Sequence, residues 1–471
     1  MPVEAVPPNP PPEPVWLEQV VGAVIRFVRG GREGRVSTRL LTAVRGSAWS
    51  MAGYGGSQLL RLLSTLILAR HLLGPRAFGL VALVNVFLSG ISMLTDLGIG
   101  MDVVQHPRGD DPTFLNTAFW IQASRGLTLW VVAVALAFPF AAFYKEPQVK
   151  MLIIAGAFSV AIRGVTSSSV WLMMRHVRLH KLTILNIAAD AAGLVASVGW
   201  ALISPTAWAL VAGDLAAPIV FVIASHIVAE QRVQLKWDSI AAKEILAFGT
   251  GMFLSSATYF LSGEAERLVV GKFINIVELG CFSLALTISL VPLSAIRQLI
   301  NQVYFPMVSE TARTDLTKAA LHLRHVRRLL LAISVLMATG FMVFSKMLVH
   351  IALGPKFVMA GWMLQLLGFR AALELFGTTI GMTLFALGIS RYAAIGNTWK
   401  LAFLCVGLLV AFHWYGFREA LWVLALSPIA HYIPNLFGLK RHLRLALASE
   451  VYCFGIFLAC SGLTVMAMRL L

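Results

Sequence analysis

Apolar runs of about 20 residues recur along the chain from residue 48 onward, separated by short polar or charged connections, and a run of that length crosses ~30 Å of hydrocarbon as an α-helix. The pattern predicts thirteen spans, near 48–70, 78–99, 115–143, 147–171, 182–203, 206–228, 247–270, 277–299, 329–351, 360–388, 392–413, 418–437 and 449–470. Strands of a membrane barrel would alternate apolar and polar residues, and these runs do not. A longer basic connection, "AEQRVQLKWDSIAAKE" (Ala229 to Glu244), follows the sixth span. "RAFGLVALVNVF" (Arg76 to Phe87), after the first span, is echoed by "VELGCFSLALTI" (Val277 to Ile288), after the seventh. Transporters are often built from two such halves with the substrate site between them. The expected fold is an all-α polytopic membrane protein, with two pseudo-symmetric six-helix lobes around a central cavity plus an extra C-terminal helix. The expected divisions are a Pro-rich tail and basic interfacial helix at 1–46, a first lobe at 47–228 and a cytoplasmic linker at 229–246. A second lobe at 247–437 follows, then a loop and the extra span at 438–471.

Polar residues inside these runs keep helical spacing. Asn85, Ser89, Ser92 and Asp96 form one narrow stripe in the second span, and Ser255, Tyr259, Ser262 and Glu266 repeat its spacing in the seventh. Tyr54, Gln58 and Arg61 share a face of the first span, and Ser159, Arg163 and Ser167 a face of the fourth. Asn186 and Asp190 stand one turn apart, as do Arg370 and Glu374, which are placed to pair. Asp214 sits inside "WALVAGDLAAPIVFVIA" (Trp208 to Ala224). Hydroxyl and amide groups join packed helices in any bundle, but ionisable groups at this depth cost at least ~2.5–3.5 kcal/mol each unless water or a partner meets them. Stripes recurring on many helices therefore point to one hydrated cavity between the lobes. Guanidinium stays charged when desolvated and offers a planar fork to phosphate oxygens, so Arg61, Arg125, Arg163 and Arg370, with Gln58 and Asn85, are the candidate substrate-binding residues. A structural salt bridge competes with that role for each arginine. Asp190, Asp214 and Glu266 are candidates for coupling to a proton or sodium gradient, since partial dehydration lets a carboxylate exchange protons near neutral pH.

Composition narrows the class further. Charged residues make up 13% and hydrophobic residues 58% of the 471, against about 25% charged in a soluble domain. The net charge of +16 lies mostly in short connections on one side of the spans, such as "RHVRLHK" (Arg175 to Lys181) and "LKRHLR" (Leu439 to Arg444). That is the positive-inside pattern, which places the N-terminus in the cytoplasm and disfavours nucleic acid as the partner. Cys281, Cys405, Cys453 and Cys460 all lie in apolar runs with no CxxC pair, the pattern of structural thiols rather than a metal site. "RGDDPTF" (Arg108 to Phe114) reads as a turn, and neither a Walker loop nor HExxH occurs. The chemistry expected is transport without a cofactor, apart from H⁺ or Na⁺ as a coupling ion.

Several stretches taken in order resemble one family: "LILARHLLGPRAFGLVALVNVF" (Leu66 to Phe87), "LTDLGIGMDVVQ" (Leu94 to Gln105), "NTAFWIQASRG" (Asn116 to Gly126), "AWALVAGDLAAP" and "ALGPKFVMAGWMLQLLG" (Ala352 to Gly368). The chain resembles the Wzx-like oligosaccharide flippases of the multidrug/oligosaccharidyl-lipid/polysaccharide exporter superfamily. The resemblance implies alternating access between two lobes in the bacterial inner membrane. It also implies movement of an undecaprenyl-pyrophosphate-linked oligosaccharide to the periplasmic leaflet, alongside a polysaccharide polymerase and export machinery. The chain departs from the family at Asp214, where an uncharged residue such as Gln is usual, and at "AERLVVGKF", which stands where members carry "LDNLLIGRF". The rival readings are a multidrug exporter of the same superfamily, favoured by a cavity rich in acids and aromatics, and a membrane-bound polymerase or glycosyltransferase.

Overall fold

The protein is described by a computed structural model covering residues 38–94, 98–314, 316–389 and 391–443, with 452, 454–460 and 462 further on. Residues Met1–Arg45 and Gly46–Leu471 form separate units, and the second carries the architecture. In chain order the first lobe holds α1 (Thr38–Ile67), α2 (Pro75–Leu94), α3 (Ile99–Gln105), α4 (Pro112–Tyr144), α5 (Pro147–Gly164), α6 (Ser169–Arg175), α7 (Leu179–Ile203) and α8 (Trp208–Ile227). Then follow α9 (Ser239–Phe273), α10 (Ile276–Leu299), α11 (Phe305–Thr314), α12 (Leu316–Ala352), α13 (Ala360–Ala386), α14 (Arg391–Trp414) and α15 (Phe417–Leu443).

The expected spans up to residue 437 each fall on one of these helices or a helix pair. Eight helices among the described residues are long and apolar enough to cross a bilayer, and α5 with α6 makes a ninth, bent by 64°. α1, α9 and α13 complete the pattern, and each carries ionisable side chains within its span. Most of the expected thirteenth span, the Pro-rich start and Asp96 lie outside the described residues.

Local chemistry explains the boundaries. Proline stands in the first turn of α4 and of α5, where its missing N–H costs no bond. Asp111 caps α4 by accepting from the Thr113 N–H, Asp238 caps α9, and Asn275 with Glu278 forms a capping box on α10. The fourth span corrects its expected form. Helix α5 stops at Gly164, and Ser167 sits in the break rather than on the stripe with Ser159 and Arg163. Neighbouring hydroxyls and a ring nitrogen serve the broken backbone there. Thr166 Oγ1 donates to the Arg163 carbonyl at 2.8 Å, Ser225 Oγ accepts from the Ser167 N–H at 3.2 Å, and His226 Nε2 meets the Val165 carbonyl at 2.9 Å. At membrane depth, irregular backbone persists only with such partners.

The two ends of the bundle are packed differently. At the end away from the basic connections, one continuous apolar cluster runs from Leu68–Phe87 through Ile276–Ile288 to Val349–Leu367, so both lobes share it. At the basic end the apolar core divides into separate clusters, one around Phe114 and Trp171 that also takes in the start of α9, the other around Tyr304 and Phe376. The shared end is closed by α2 against α10. A Cβ on Gly79 would lie 3.1 Å from the Gly280 nitrogen, and one on Gly280 would lie 2.9 Å from the Gly79 nitrogen. Only small residues let two backbones touch in this way, and in lipid such close packing supplies much of the association energy. Gly79 and Gly280 occupy the same place in the two echoed sequences. The lobes therefore meet at one end and part toward the basic end.

Candidate functional site

Between the lobes lies a cavity of about 430 Å³ lined from both sides, with Arg61, Asn85, Arg163, Asp190 and Asp214 from the first lobe and Arg267 from the second. The position of the two aspartates follows from how α7 crosses α8. A Cβ on Gly213 would lie 2.8 Å from the Gly193 carbonyl oxygen, so these glycines let the helices touch and turn both carboxylates toward one lumen. One oxygen of Asp190 accepts from Arg61 Nε at 3.1 Å, while the other is buried without a hydrogen-bond partner. Asp214 and Arg163 are open to the cavity. Pro218, one turn beyond Asp214, lacks the N–H that would bond the Asp214 carbonyl, which leaves that oxygen available at the cavity wall. Arg267 is held by both oxygens of Glu264, at 2.9 and 2.8 Å.

An adjoining pocket of about 310 Å³ shares Arg61 and is lined by Tyr54, Gln58, Leu179, Asn186 and Gln298. Because Leu179 opens α7 and Gln298 closes α10, this pocket extends the polar space toward the basic end. Gln58, where its amide donates to the Tyr54 hydroxyl at 2.9 Å, belongs to it.

Three of the expected residues sit elsewhere. Arg125 Nη2 donates to the Ser92 carbonyl at 2.9 Å, among the last carbonyls of α2, where a helix end attracts a cation. Arg370 and Glu266 are buried in the second lobe and face each other at 2.8 Å. The expected pairing of Arg370 with Glu374 is present but looser, at 3.9 Å. Glu374 is held more closely by Arg297 at 2.9 Å and Lys400 at 3.5 Å. These five side chains form an ionic core inside the second lobe, separate from the cavity wall. The spacing reading missed Arg297, Lys400 and the cavity face of α10. Ser283, Thr287, Ser294 and Gln298 recur along α10 at helical intervals, and that stripe was legible in the sequence.

At the basic end the connection between the lobes is strapped onto the first lobe. The Gln234 N–H donates to Asn116 Oδ1 at 2.7 Å, the Asp238 N–H to Thr117 Oγ1 at 3.0 Å, and Trp120 Nε1 to the Gln234 carbonyl at 3.1 Å. Arg108 binds Asp238 at 2.7 Å and Asp111 at 3.1 Å. Its hydrogen bond to Asp238 holds that carboxyl below the usual carboxylate range, helped by the Ile240 N–H. Lys181 and Arg178 do the same to Glu230. Helix α9 begins at Ser239, inside the expected linker, and its Ala241, Ala242 and Ile245 pack into the first lobe's cluster around Phe114.

A family described as "Polysaccharide biosynthesis protein" matches residues 67–360. The succinoglycan biosynthesis transport protein ExoT of Rhizobium meliloti is 20% identical over 56% of this chain, and the match spans about half of that protein's length, 53%. The lipopolysaccharide biosynthesis protein WzxC of Escherichia coli is 23% identical over 73% of this chain and 70% of its own. Among solved structures, a multidrug resistance MATE family transporter of the MOP superfamily in an inward-facing conformation superposes with a TM-score of 0.64. It shares 14% identity and covers 82% of this chain and 94% of that one. The lipid II flippase MurJ in an inward closed conformation gives 0.63 at 12% identity, over 90% of this chain and 98% of that one. At these identities the structural likeness establishes the two-lobed fold.

Proposed function

The chain belongs to the family of polysaccharide biosynthesis proteins, and from that premise we propose that it is a flippase for an undecaprenyl-pyrophosphate-linked oligosaccharide. It carries this substrate from the cytoplasmic to the periplasmic leaflet of the bacterial inner membrane, for lipopolysaccharide or exopolysaccharide assembly. The basic end faces the cytoplasm, as the distribution of Lys and Arg favours. The observation that carries the reading is a cavity lined by Arg61 and Arg163 from one lobe and Arg267 from the other. Guanidinium forks suit pyrophosphate oxygens, and the adjoining pocket offers amides and hydroxyls for sugar.

The lobes meet at the far end and part at the basic end, which suits loading from the cytoplasm before the lobes rock over. Transport rather than catalysis is the role, and the delivered glycan passes to a polysaccharide polymerase and export machinery. A multidrug exporter for cations would want a cavity dominated by acids and aromatics. The described lining has three arginines, one of them held by Glu264, against two aspartates, with Phe78 as its aromatic residue, and so is not dominated by acids and aromatics. Asp214 and Asp190 are the coupling carboxylates, taking up H⁺ or Na⁺ from the lumen.

A deletion strain, with undecaprenyl-linked intermediates tracked by leaflet, tests the reading. Substrate should accumulate on the cytoplasmic side and surface glycan should fall. Unchanged glycan, in the absence of a redundant flippase, overturns it. In the same strain, Arg61→Ala and Arg163→Ala should each lower export about 10–100-fold at normal protein levels, the loss of a charge-assisted bond worth ~1.5–3 kcal/mol. Two silent substitutions would remove these residues from the site. Asp214→Asn should leave residual export that no longer responds when the proton or sodium gradient is collapsed, and a retained response would move the coupling elsewhere.

A further inference from the structure

The strap between α8 and α9 has its backbone tied to α4, yet its apolar side chains point away from the protein. Leu235 is 93% exposed, Ile240 66% and Trp237 58%. The same segment is cationic in effect. Its acids are already engaged, Glu230 by Arg178 and Lys181, Asp238 by Arg108, and Glu244 by Arg108 at 3.7 Å, whereas Arg232, Lys236 and Lys243 are exposed.

The strap's depth follows from the length of α4. That helix has 33 residues, which at 1.5 Å each makes about 50 Å, longer than the ~40–45 Å of a bilayer with its headgroups. The strap is bonded to Asn116, Thr117 and Trp120, about 6–12 Å inside the helix start at that rise. That places it at the headgroup level. Exposed Trp and Leu interleaved with Lys and Arg are the composition that settles at this level, the rings and alkyl groups at the acyl boundary and the cations on lipid phosphates.

We propose that the inter-lobe strap is a membrane-surface anchor. Leu235, Trp237 and Ile240 enter the leaflet at the basic end, and Arg232, Lys236 and Lys243 bind the phosphates of anionic phospholipid. The leaflet then holds the first lobe and the start of α9 at a fixed depth while the second lobe moves.

The test uses the full chain with its native cysteines changed to serine and a nitroxide on Leu235→Cys, or on Trp237→Cys should the first variant fold poorly. It is reconstituted in phosphatidylcholine vesicles with or without phosphatidylglycerol. Collisions with oxygen should exceed those with a water-soluble nickel chelate when phosphatidylglycerol is present. That preference should weaken when the anionic lipid is omitted or when Arg232, Lys236 and Lys243 are changed together to Glu. Chelate-dominated collisions in both vesicles would put the strap in water and overturn the proposal. A label shielded from both probes would mean that a second copy covers the surface, which also overturns it. Oxygen dominance indifferent to lipid charge would overturn the role given to the three cations.

Discussion

Arg370→Met is expected to cost the protein about 3–5 kcal/mol of stability, the loss typical when one member of a buried ion pair is removed. Arg370 and Glu266 expose only 6% and 5% of their side chains and meet at 2.8 Å. With the guanidinium gone, Glu266 is left ionised or must take a proton in a site that water scarcely reaches. Glu374 is affected less, because Arg297 and Lys400 still hold it. The damage should therefore be specific to Glu266. Pairing the substitution with Glu266→Gln should recover most of the loss, since an uncharged pair of similar volume carries no such penalty. The measurement is the folded fraction after heating in mild detergent, followed by size-exclusion chromatography. A single variant as stable as the parent, or a double variant no better than the single one, would show that the two charges do not depend on each other.

Gly79→Val should cut export roughly ten- to a hundredfold while the protein still folds and reaches the membrane. The added Cβ would sit 3.0 Å from the Ile276 carbonyl carbon and 3.1 Å from the Gly280 nitrogen. Both are backbone atoms, which cannot rotate aside as a side chain can. Overpacking of this kind costs typically ~1–3 kcal/mol. Here the cost falls on one conformation, the one in which the lobes meet at this end, and 1.4 kcal/mol is a tenfold change in an equilibrium. The closed arrangement should lose roughly ten- to a hundredfold in population by that arithmetic. Gly280→Val should act in the same way, because the two glycines are mutual neighbours. Cysteine pairs placed across the α2–α10 seam read the outcome. Cross-linking should fall in both variants, and undiminished cross-linking with normal export would show that the seam tolerates the wedge.

The cavity was partly legible beforehand. Asn85, Arg61, Arg163, Asp190 and Asp214 were each marked by a polar or ionic group inside an apolar run, and the fold brings all five to one lumen. Lys400 carries the same mark in the eleventh run, and the α10 stripe ending at Gln298 is equally visible in the sequence. For other residues no pattern along the chain could have served. Arg125 and Arg370 carry the same side chain in similar apolar settings as Arg163, yet one meets the end of α2 and the other meets Glu266. The fourth span looked continuous because Val165 to Ser168 is not polar enough to break an apolar average. Its break is held open by groups 58–61 positions away, Ser225 and His226.

Sequence alone determined the spans up to residue 437, the two-lobed all-α architecture and the presence of costly charges at membrane depth. Hydrocarbon enforces these, since every backbone group must find a protein partner, in its own helix or from a neighbour at a break, and every ionic group must find company. Which company each charge found was decided by tertiary structure. It depends on how far each helix is rotated and where it crosses its neighbour, and those are set by close contacts such as Gly193 on Gly213 and Gly79 on Gly280. Such contacts join residues remote in the chain, so the periodicity of a single helix carries no record of them.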